Sequence, residues 1–305
     1  MMGSGSNGAP FSRSSRLPKA VKDVRYEARK VFGSFQAWVD RVNGAWRKAT
    51  RPARVPLPDK EWSVCTLQER TKLNRNTRRY MFKLPTPASV LPLGLGQQIT
   101  LCGLDRDDKV VQGGFVPSSR RDVPGYFEIL VSKDGDADDA LPGANSIQMA
   151  KLLGSMAIGD EMACKPGRSG MVYRGPYSPI TDVVLVATGL GIVPMLQLVN
   201  ELLPAHDTSV DTATVVWVNE HTEDFVLYRD VEKAFYKNHK KLDVACILEK
   251  DMFGHQLAAN PRVVEAVPDF RIGTLAAVSG PEYFVRKVQD YLSRRGYPDD
   301  VIISL

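Results

Sequence analysis

The chain has 305 residues, of which 43% are hydrophobic and 25% charged, enough for two globular domains that each bury a core. Its most apolar stretch, residues 183–199, is interrupted by glycine, proline and glutamine, which argues against a membrane span of about 20 apolar residues. The four cysteines and four histidines lack the spacing of a zinc site or a disulfide framework, so we expect reduced thiols, an intracellular protein and no metal.

The net charge of +5 conceals a basic N-terminal extension. Residues 1–60 carry 13 Lys and Arg against 4 Asp and Glu, whereas the remaining residues carry 27 against 31. Residues 1–22 contain no acidic residue and several serines, a composition typical of an organellar transit segment and equally of a disordered tail. We expect a tail of one of these kinds over residues 1–18.

Residues 19–60 follow as a predicted helix and linker. Apolar residues recur every three or four positions over about 19–48, which predicts an amphipathic helix whose other faces are basic. Pro52, Pro56 and Pro58 predict an extended linker after it. Such a helix suits a groove on a partner protein or an anionic membrane surface, the alternative being packing on its own protein's core. The residues expected to dock are Phe32, Phe35, Trp38, Trp46, Arg25, Arg29 and Arg41.

The rest of the chain divides into two predicted domains. Over residues 61–178, short β-rich runs alternate with turn residues, which predicts a small antiparallel barrel. Over residues 179–305, strand and helix patterns alternate from DVVLVATG to EYFVRKVQDYLSRRG, which predicts a parallel sheet with helices on both faces.

This order of domains and several motifs carry a family resemblance. The segments are TRRYMFKLP, LGLGQQITL, LLGSMAIGD, TGLGIVPMLQLV, VNEHTEDFVLYRDVE and VSGPEYF. From about Trp62 to the end, the chain resembles the ferredoxin reductase superfamily, and within it the NADH-cytochrome b5 reductase branch. The resemblance implies FAD on the barrel domain, NADH or NADPH on the sheet domain, and electron transfer to a heme or iron-sulfur acceptor.

The resemblance places the FAD-binding motif in VVQGGFVPSS, residues 110–119. In the family an arginine donates to the FAD diphosphate, a tyrosine packs on the flavin ring, and a threonine bonds the ring or the ribityl chain. Here Gln112 or Gly113 stands at the arginine, Phe115 at the tyrosine in one alignment, and Val116 or Phe115 at the threonine. Because a charged, bidentate phosphate contact is worth about 1.5 to 3 kcal/mol, its loss is expected to weaken binding about 10- to 100-fold.

A second diphosphate element of the family is a glycine-rich segment that ends in serine at a helix start, where backbone N–H groups receive phosphate. In SIQMAKLL, Ile147 replaces a glycine and Ala150 replaces the serine. Arg120, Arg121 and Arg168 lie near in sequence and are candidates for compensation. The vestigial FAD site that the resemblance implies comprises Gln112, Gly113, Phe115, Val116, Ser119, Met149 and Ala150.

The nicotinamide motif is changed in the same manner. TGLGIVPM keeps the family's glycines and proline but has Leu190 and Val193 where the family has threonines. Ser279 stands where the family has a cysteine near the hydride path, and VIISL lacks the terminal aromatic of many relatives. The vestigial NAD(P) site comprises Gly189, Leu190, Gly191, Val193, Pro194, Gly280 and Pro281.

Two functional hypotheses follow. In the first, hydride transfer has been lost, no cofactor is bound, and the chain is an accessory subunit held by its N-terminal helix in a larger complex at the mitochondrial inner membrane, or else in another organelle or at a cytoplasmic membrane surface. In the second, the chain is an active NAD(P)H-dependent FAD oxidoreductase that serves a heme, iron-sulfur or quinone acceptor. Acidic residues in VNEHTEDF disfavour the 2′-phosphate of NADPH. A nucleic-acid partner is not expected, because no recognised binding module accompanies the basic helix.

Overall fold

The computed structural model describes residues 54–133, 146–167, 171, 179–204, 209–249 and 260–305. The predicted N-terminal helix and all seven of its docking residues lie outside these ranges. So do Arg168 and the proposed boundary at residue 178, and the domain limits stay predictions.

The first domain is built on a six-stranded antiparallel sheet in the order β6-β5-β8-β2-β3-β7. Its strands are β2 Ser63–Lys72, β3 Thr77–Lys83, β5 Ile99–Leu104, β6 Val110–Phe115, β7 Tyr126–Ser132 and β8 Glu161–Pro166. Alternate residues point to opposite faces of a strand, so Cys65 and Leu67 enter the core while their neighbours do not. The two edge strands meet where the Ser118 N–H donates to the Glu128 carbonyl at 2.8 Å, so the sheet curls back on itself.

Two further elements complete this domain. Helix α1, Ser146–Ser155, packs on β6 and buries Met149 and Leu153. A short strand β1, Val55–Pro56, pairs in parallel with β4, Ser89–Val90. The end of the proline-rich segment is thus attached to the barrel, and Arg54 adds an ion pair with Asp122 at 3.3 Å.

The second domain has a five-stranded parallel sheet in the order β11-β10-β9-β12-β13. The strands are β9 Asp182–Thr188, β10 Thr212–Asn219, β11 Leu242–Leu248, β12 Thr274–Ser279 and β13 Ile302–Ser304. The helices are α2 Ile192–Leu202, α3 Tyr228–Asn238, α4 Pro261–Ala266 and α5 Glu282–Arg294. Successive residues of β9 are buried on opposite faces, Leu185 with one core and Val186 with the other, which explains its unbroken apolar sequence.

The predicted fold class is confirmed: an antiparallel β domain precedes a parallel α/β domain. Two short pairings were not predicted. VIISL supplies the edge strand β13, and residues 55–56 pair with the barrel.

Candidate functional site

The sheet of the second domain has a point where its chain path reverses direction. From β9 the chain proceeds through β10 to β11 on one side, and it then returns to place β12 and β13 on the other side. Ligands of open α/β sheets bind beyond the carboxyl ends of the strands at such a reversal. Here a cavity of about 170 Å³ lies beyond β9 and β12, between the two domains.

Backbone of two glycine turns forms the sheet-domain wall of this cavity. A Cβ on Gly191 would stand 2.4 Å from the Ser279 carbonyl oxygen, and a Cβ on Gly280 would stand 2.6 Å from the Thr188 methyl group. Only glycine fits at either place. The turns after β9 and β12 are therefore packed against each other and expose backbone to a ligand.

Two side chains from β10 fix the turn at Gly189, which has a φ of +53°. The Gly189 N–H donates to the Asn219 Oδ1 at 2.8 Å, and the Trp217 Nε1–H donates to the Gly189 carbonyl at 3.1 Å. Trp217 is fully buried and packs edge-on against Phe225. The conformation of the turn is therefore imposed from within the core.

Residues of the barrel form the opposite wall. The end of β6 contributes Phe115 and the following Val116, and β7 contributes Leu130. The structure brings this wall together with every residue of the predicted NAD(P) site and with Ser279. Those residues are Gly189, Leu190, Gly191, Val193, Pro194, Ser279, Gly280 and Pro281.

None of the remaining residues of the predicted FAD site lines this cavity. Gln112 and Gly113 lie on β6, Met149 and Ala150 lie on α1, and Ser119 follows β6 and lines a second cavity. Gly113 is buried, and a Cβ there would stand 2.9 Å from Cγ of Met149. Met149 is itself fully buried, with Ala150 beside it. Met149 thus occupies the space that a side chain at position 113 would need, and an arginine does not fit there. Gln112 is half-buried and pairs with Cys102.

The residues around 119–121 are engaged in other contacts. The Ser119 hydroxyl accepts a hydrogen bond from the Glu128 N–H. Arg120 is exposed and ion-paired with Asp122 at 3.1 Å. Arg121 is buried, donates to the Leu93 carbonyl and lies 3.2 Å from a Glu201 carboxylate oxygen. Neither arginine compensates at the cavity.

Ser279 is linked to the last residue of the sequence. Its hydroxyl donates to the Leu305 carbonyl at 2.9 Å, and the Leu305 N–H donates to the Val278 carbonyl. Leu305 lines the cavity, and its side chain lies 3.3 Å from the Cβ position of Gly96 in the barrel. An aliphatic side chain therefore stands at the cavity where the family resemblance implies an aromatic one.

Sequence reasoning missed Tyr283, which also lines the cavity. Burial, followed by the negative charge of Glu220, raises the pKa of the Tyr283 phenol. One carboxylate oxygen of Glu220 is buried and has no hydrogen-bond partner among the residues described. The position of Tyr283, two residues after Pro281 in VSGPEYF, was the available sequence signal.

The lining of this cavity suits a flavin ring on the barrel side and the nicotinamide end of a dinucleotide on the sheet side. Phe115 offers an aromatic side chain, and the glycine turns offer backbone that a Cβ would obstruct. The fit is weaker at the diphosphate, because neither Gln112 nor Gly113 supplies the family's guanidinium and Met149 obstructs a side chain at position 113.

Within the described ranges, no group of three or more His, Cys, Asp or Glu residues is arranged to hold a metal ion. No helix in the same ranges is long and apolar enough to cross a membrane.

Comparison with known proteins finds a matching domain model and several similar reductases. Residues 64–173 match the sequence model of the oxidoreductase FAD-binding domain. The chain is 29% identical over 209 residues to NADH-cytochrome b5 reductase 1 of Aspergillus terreus, and the match covers 66% of this chain and 66% of that protein.

Two solved structures share the fold. The cytochrome b5 reductase domain of Ulva prolifera nitrate reductase has a TM-score of 0.67 and 16% identity, over 82% of this chain and 100% of that chain. A ferredoxin NADP+ reductase from Neisseria gonorrhoeae, solved with bound FAD and NADP, has a TM-score of 0.62 and 13% identity, over 80% of this chain and 98% of that chain.

The expectation that the chain binds no cofactor is wrong. It was based on lost side-chain contacts, whereas the sequence matches a family of FAD-binding domains and relatives named as NADH-dependent reductases. A dinucleotide makes much of its contact with the protein backbone, inside a cleft of suitable shape. The replacement of family side chains by Gly113 and Val193 leaves both the backbone and the cleft in place. Residues 64–173 thus match the oxidoreductase FAD-binding domain, NADH-cytochrome b5 reductases are among the relatives of this chain, and its two-domain fold is shared by a solved ferredoxin NADP+ reductase.

Proposed function

We propose that this protein is an FAD-dependent oxidoreductase that oxidises NADH and passes the electrons to a heme, iron-sulfur or quinone acceptor. The proposal is supported by the similarity to NADH-cytochrome b5 reductases, although the matched region spans only about two thirds of the Aspergillus protein.

One observation carries the proposal: both domains contribute to a single cavity at the reversal point of the parallel sheet. Phe115 and Val116 come from the barrel, and the turns at Gly191 and Gly280 come from the sheet domain. A flavin held by the barrel wall and a nicotinamide held by the glycine turns of the sheet domain would be in direct contact. Such an arrangement supports transfer between two cofactors better than binding of either one alone.

FAD, when bound, supplies the chemistry, because it accepts the hydride of NADH and can release the two electrons one at a time. The protein's residues bind and orient the two cofactors. Phe115 would hold the flavin ring, and the glycines at 191 and 280 would let the dinucleotide approach the backbone. Asn219 holds the Gly189 turn in place. The Ser279 hydroxyl is held by Leu305, so its proton faces the Leu305 carbonyl.

A matched pair of phenylalanine variants tests the flavin wall. Phe115→Leu removes the ring at the cavity, and a lost aromatic contact of about 1 kcal/mol is expected to weaken FAD binding about fivefold. Phe235→Leu alters a partly buried ring on α3 that packs on the sheet core away from the cavity. It is expected to leave FAD affinity unchanged.

The measurement is titration of the purified apoprotein with FAD, followed by NADH oxidation with a soluble one-electron acceptor. Saturable FAD binding, FAD-dependent NADH oxidation and a Kd change confined to Phe115→Leu would support the proposal. Failure of the unmutated protein to bind FAD, or equal losses in both variants, would refute it.

A second candidate is an accessory subunit that retains its cofactors but has lost hydride transfer. The observation that favours it is the replacement of cofactor-contacting side chains at Gly113, Leu190 and Val193, while the backbone of the turns is kept. In this proposal the residues before 50 dock the protein to subunits of a mitochondrial membrane-associated complex or to an anionic membrane. Bound FAD that NADH does not reduce, together with loss of complex or membrane association on deletion of residues 1–50, would favour it.

A further inference from the structure

One face of helix α2 carries the contact between the two domains beside the cavity. Val193, Gln197 and Glu201 recur every four residues and therefore lie on one face of the helix. Val193 lines the cavity, and the side chains of Gln197 and Glu201 reach the barrel. The helix begins directly after the Gly189–Gly191 turn, so its placement sets the position of that turn.

Gln197 bonds two separate loops of the barrel. Its side-chain N–H donates to the Pro117 carbonyl at 2.8 Å, and its Oε1 accepts from the Gly96 N–H at 3.2 Å. Pro117 directly follows Phe115 and Val116, which form the flavin-side wall. Gly96 lies against Leu305, whose carbonyl accepts a hydrogen bond from the Ser279 hydroxyl. One side chain on α2 is therefore bonded to two barrel segments, one that continues from the flavin-side wall and one that contacts Leu305.

Glu201 provides a second attachment one turn further along α2. It lies 3.2 Å from a guanidinium nitrogen of Arg121, whose side chain is only 3% exposed. Arg121 also donates to the Leu93 carbonyl at 2.9 Å. The pair fixes the far half of the helix but is more distant in sequence from the glycine turn than Gln197.

The rest of this interface is not closely packed. A cavity of about 320 Å³ lies between α2, the start of α3 and the barrel, lined by side chains such as Leu73, Ser119 and Leu227. Beyond it, the Asn74 side chain donates to the Glu223 carbonyl at 2.6 Å. Relative motion is the default for domains with small, polar interfaces, so a few specific bonds set their separation.

We infer that Gln197 is a positioning residue that fixes the separation between the flavin-side wall at Phe115–Pro117 and the nicotinamide-side turn at Gly189–Gly191. The inference rests on the proposed function for its catalytic consequence. Gln197 touches neither reacting group, and it acts through Pro117, Gly96 and the start of α2. Misplacement by about 1 Å can reduce a transfer rate about 100-fold, so two hydrogen bonds at this point have a large effect.

The test compares Gln197→Met, which keeps the length of the side chain but loses both bonds, with Gln289→Met in the second half of α5, a helix that packs on β12 and β13. Rapid mixing of the FAD-loaded protein with NADH under anaerobic conditions gives the rate of flavin reduction and the Kd for NADH separately. We expect Gln197→Met to slow reduction about 10- to 100-fold while the Kd and the flavin content stay within about twofold. Gln289→Met is expected to match the unmutated protein.

Gln197→Glu distinguishes the effects of the two hydrogen bonds, because it keeps one and removes the other. It keeps an acceptor for the Gly96 N–H but places a carboxylate oxygen against the Pro117 carbonyl. We expect protection of the Gly96 amide from hydrogen exchange to be lost in Gln197→Met and kept in Gln197→Glu. Reduction is expected to be slow in both, because Pro117 adjoins the flavin-side wall.

Reduction in Gln197→Met within twofold of the unmutated rate would overturn the inference. If the unmutated protein takes up no FAD, the proposed function fails, and hydrogen exchange on the apoprotein still decides the structural claim. In that case, unchanged protection at Gly96 and across residues 115–121 in Gln197→Met would overturn it.

Discussion

Gly113 illustrates how a single substitution is compensated by its neighbour. In one alignment Gly113 stands at the family arginine, and Met149 from α1 lies so close that a side chain at position 113 would collide with it. The sequence indicates the loss of the arginine. It does not indicate the methionine packing, because residues 113 and 149 are brought together only by the fold.

Restoring the arginine is therefore expected to require two changes. Gly113→Arg alone brings a Cβ within 2.9 Å of Met149 and 3.2 Å of Phe115, and overpacking of this kind costs about 1 to 3 kcal/mol of stability. Gly113→Arg with Met149→Ala removes the Cγ contact, leaves the 3.0 Å contact with the Cβ of residue 149, and is expected to recover part of the lost stability and to tighten FAD binding about 10- to 100-fold. Thermal unfolding and FAD titration measure the two effects.

Met149→Ala alone is the control, and it should give no gain in FAD affinity. A Gly113→Arg single variant that is as stable as the unmutated protein and binds FAD more tightly would contradict the steric account.

Glu220 is the residue expected to select NADH over NADPH. It directly follows β10, where an acidic side chain meets the adenosine ribose in dinucleotide-binding folds, and one of its oxygens is buried. Removing the charge by Glu220→Gln is expected to raise the kcat/KM ratio of NADPH to NADH about fivefold, because a unit charge at about 4 Å is worth about 1 kcal/mol in water.

The same variant should lower the pKa of Tyr283, since the Glu220 charge is one of its two causes, while burial keeps the pKa above the ordinary value. Glu223→Gln, at an exposed position, is the matched control. Equal shifts in coenzyme preference for the two variants would exclude the assignment.

At the scale of elements, the strands and helices of the sheet domain follow the sequence pattern closely. Buried parallel strands are continuous apolar runs, and DVVLVATG and TATVVWVN have that form. Strands β1 and β13 were not predicted, because strands of two or three residues are too short to show an alternating pattern. The Gly189 turn was predicted, but its anchoring by Trp217 and Asn219 was not, since these side chains lie about 30 residues away in sequence.

Tyr297 ties the end of α5 to the segment before β12, and it gives this element a pH-dependent stability. The residue is 2% exposed, its hydroxyl donates to the Pro268 carbonyl at 2.8 Å, and burial is the main reason that its pKa is raised to about 12. In the unfolded chain the phenol titrates at its ordinary value of 10.0. The folded state therefore holds the proton over a range where the unfolded state loses it.

Stability from this group is complete below pH 10 and declines between pH 10 and about 12, by at most about 1.4 kcal/mol per pH unit. Tyr297→Phe is expected to be about 1 kcal/mol less stable at pH 8, through the lost hydrogen bond, and to decline less steeply above pH 10. Denaturant unfolding at pH 8, 10 and 11 compares the two proteins. Parallel pH curves would rule out the assignment.

For the whole molecule, the order of the two domains and the position of the cavity follow from topology. The reversal between β9 and β12 places both glycine turns at one edge, and the barrel covers that edge with Phe115 and Leu130. The sequence therefore predicted the fold and the nicotinamide-side residues from motifs. It misjudged cofactor binding, because it counted side-chain contacts while the retained backbone and cleft provide much of a dinucleotide site.

Reduction of bound FAD by NADH is the most direct test of the central claim that the two domains form one functioning site. The purified chain, loaded with FAD and freed of excess, would be mixed with one equivalent of NADH without oxygen, and the flavin absorption would be followed. The account predicts about one FAD per chain and bleaching of the flavin band with loss of NADH absorption. A chain that retains no FAD, or whose bound FAD stays oxidised with NADH present, would contradict it.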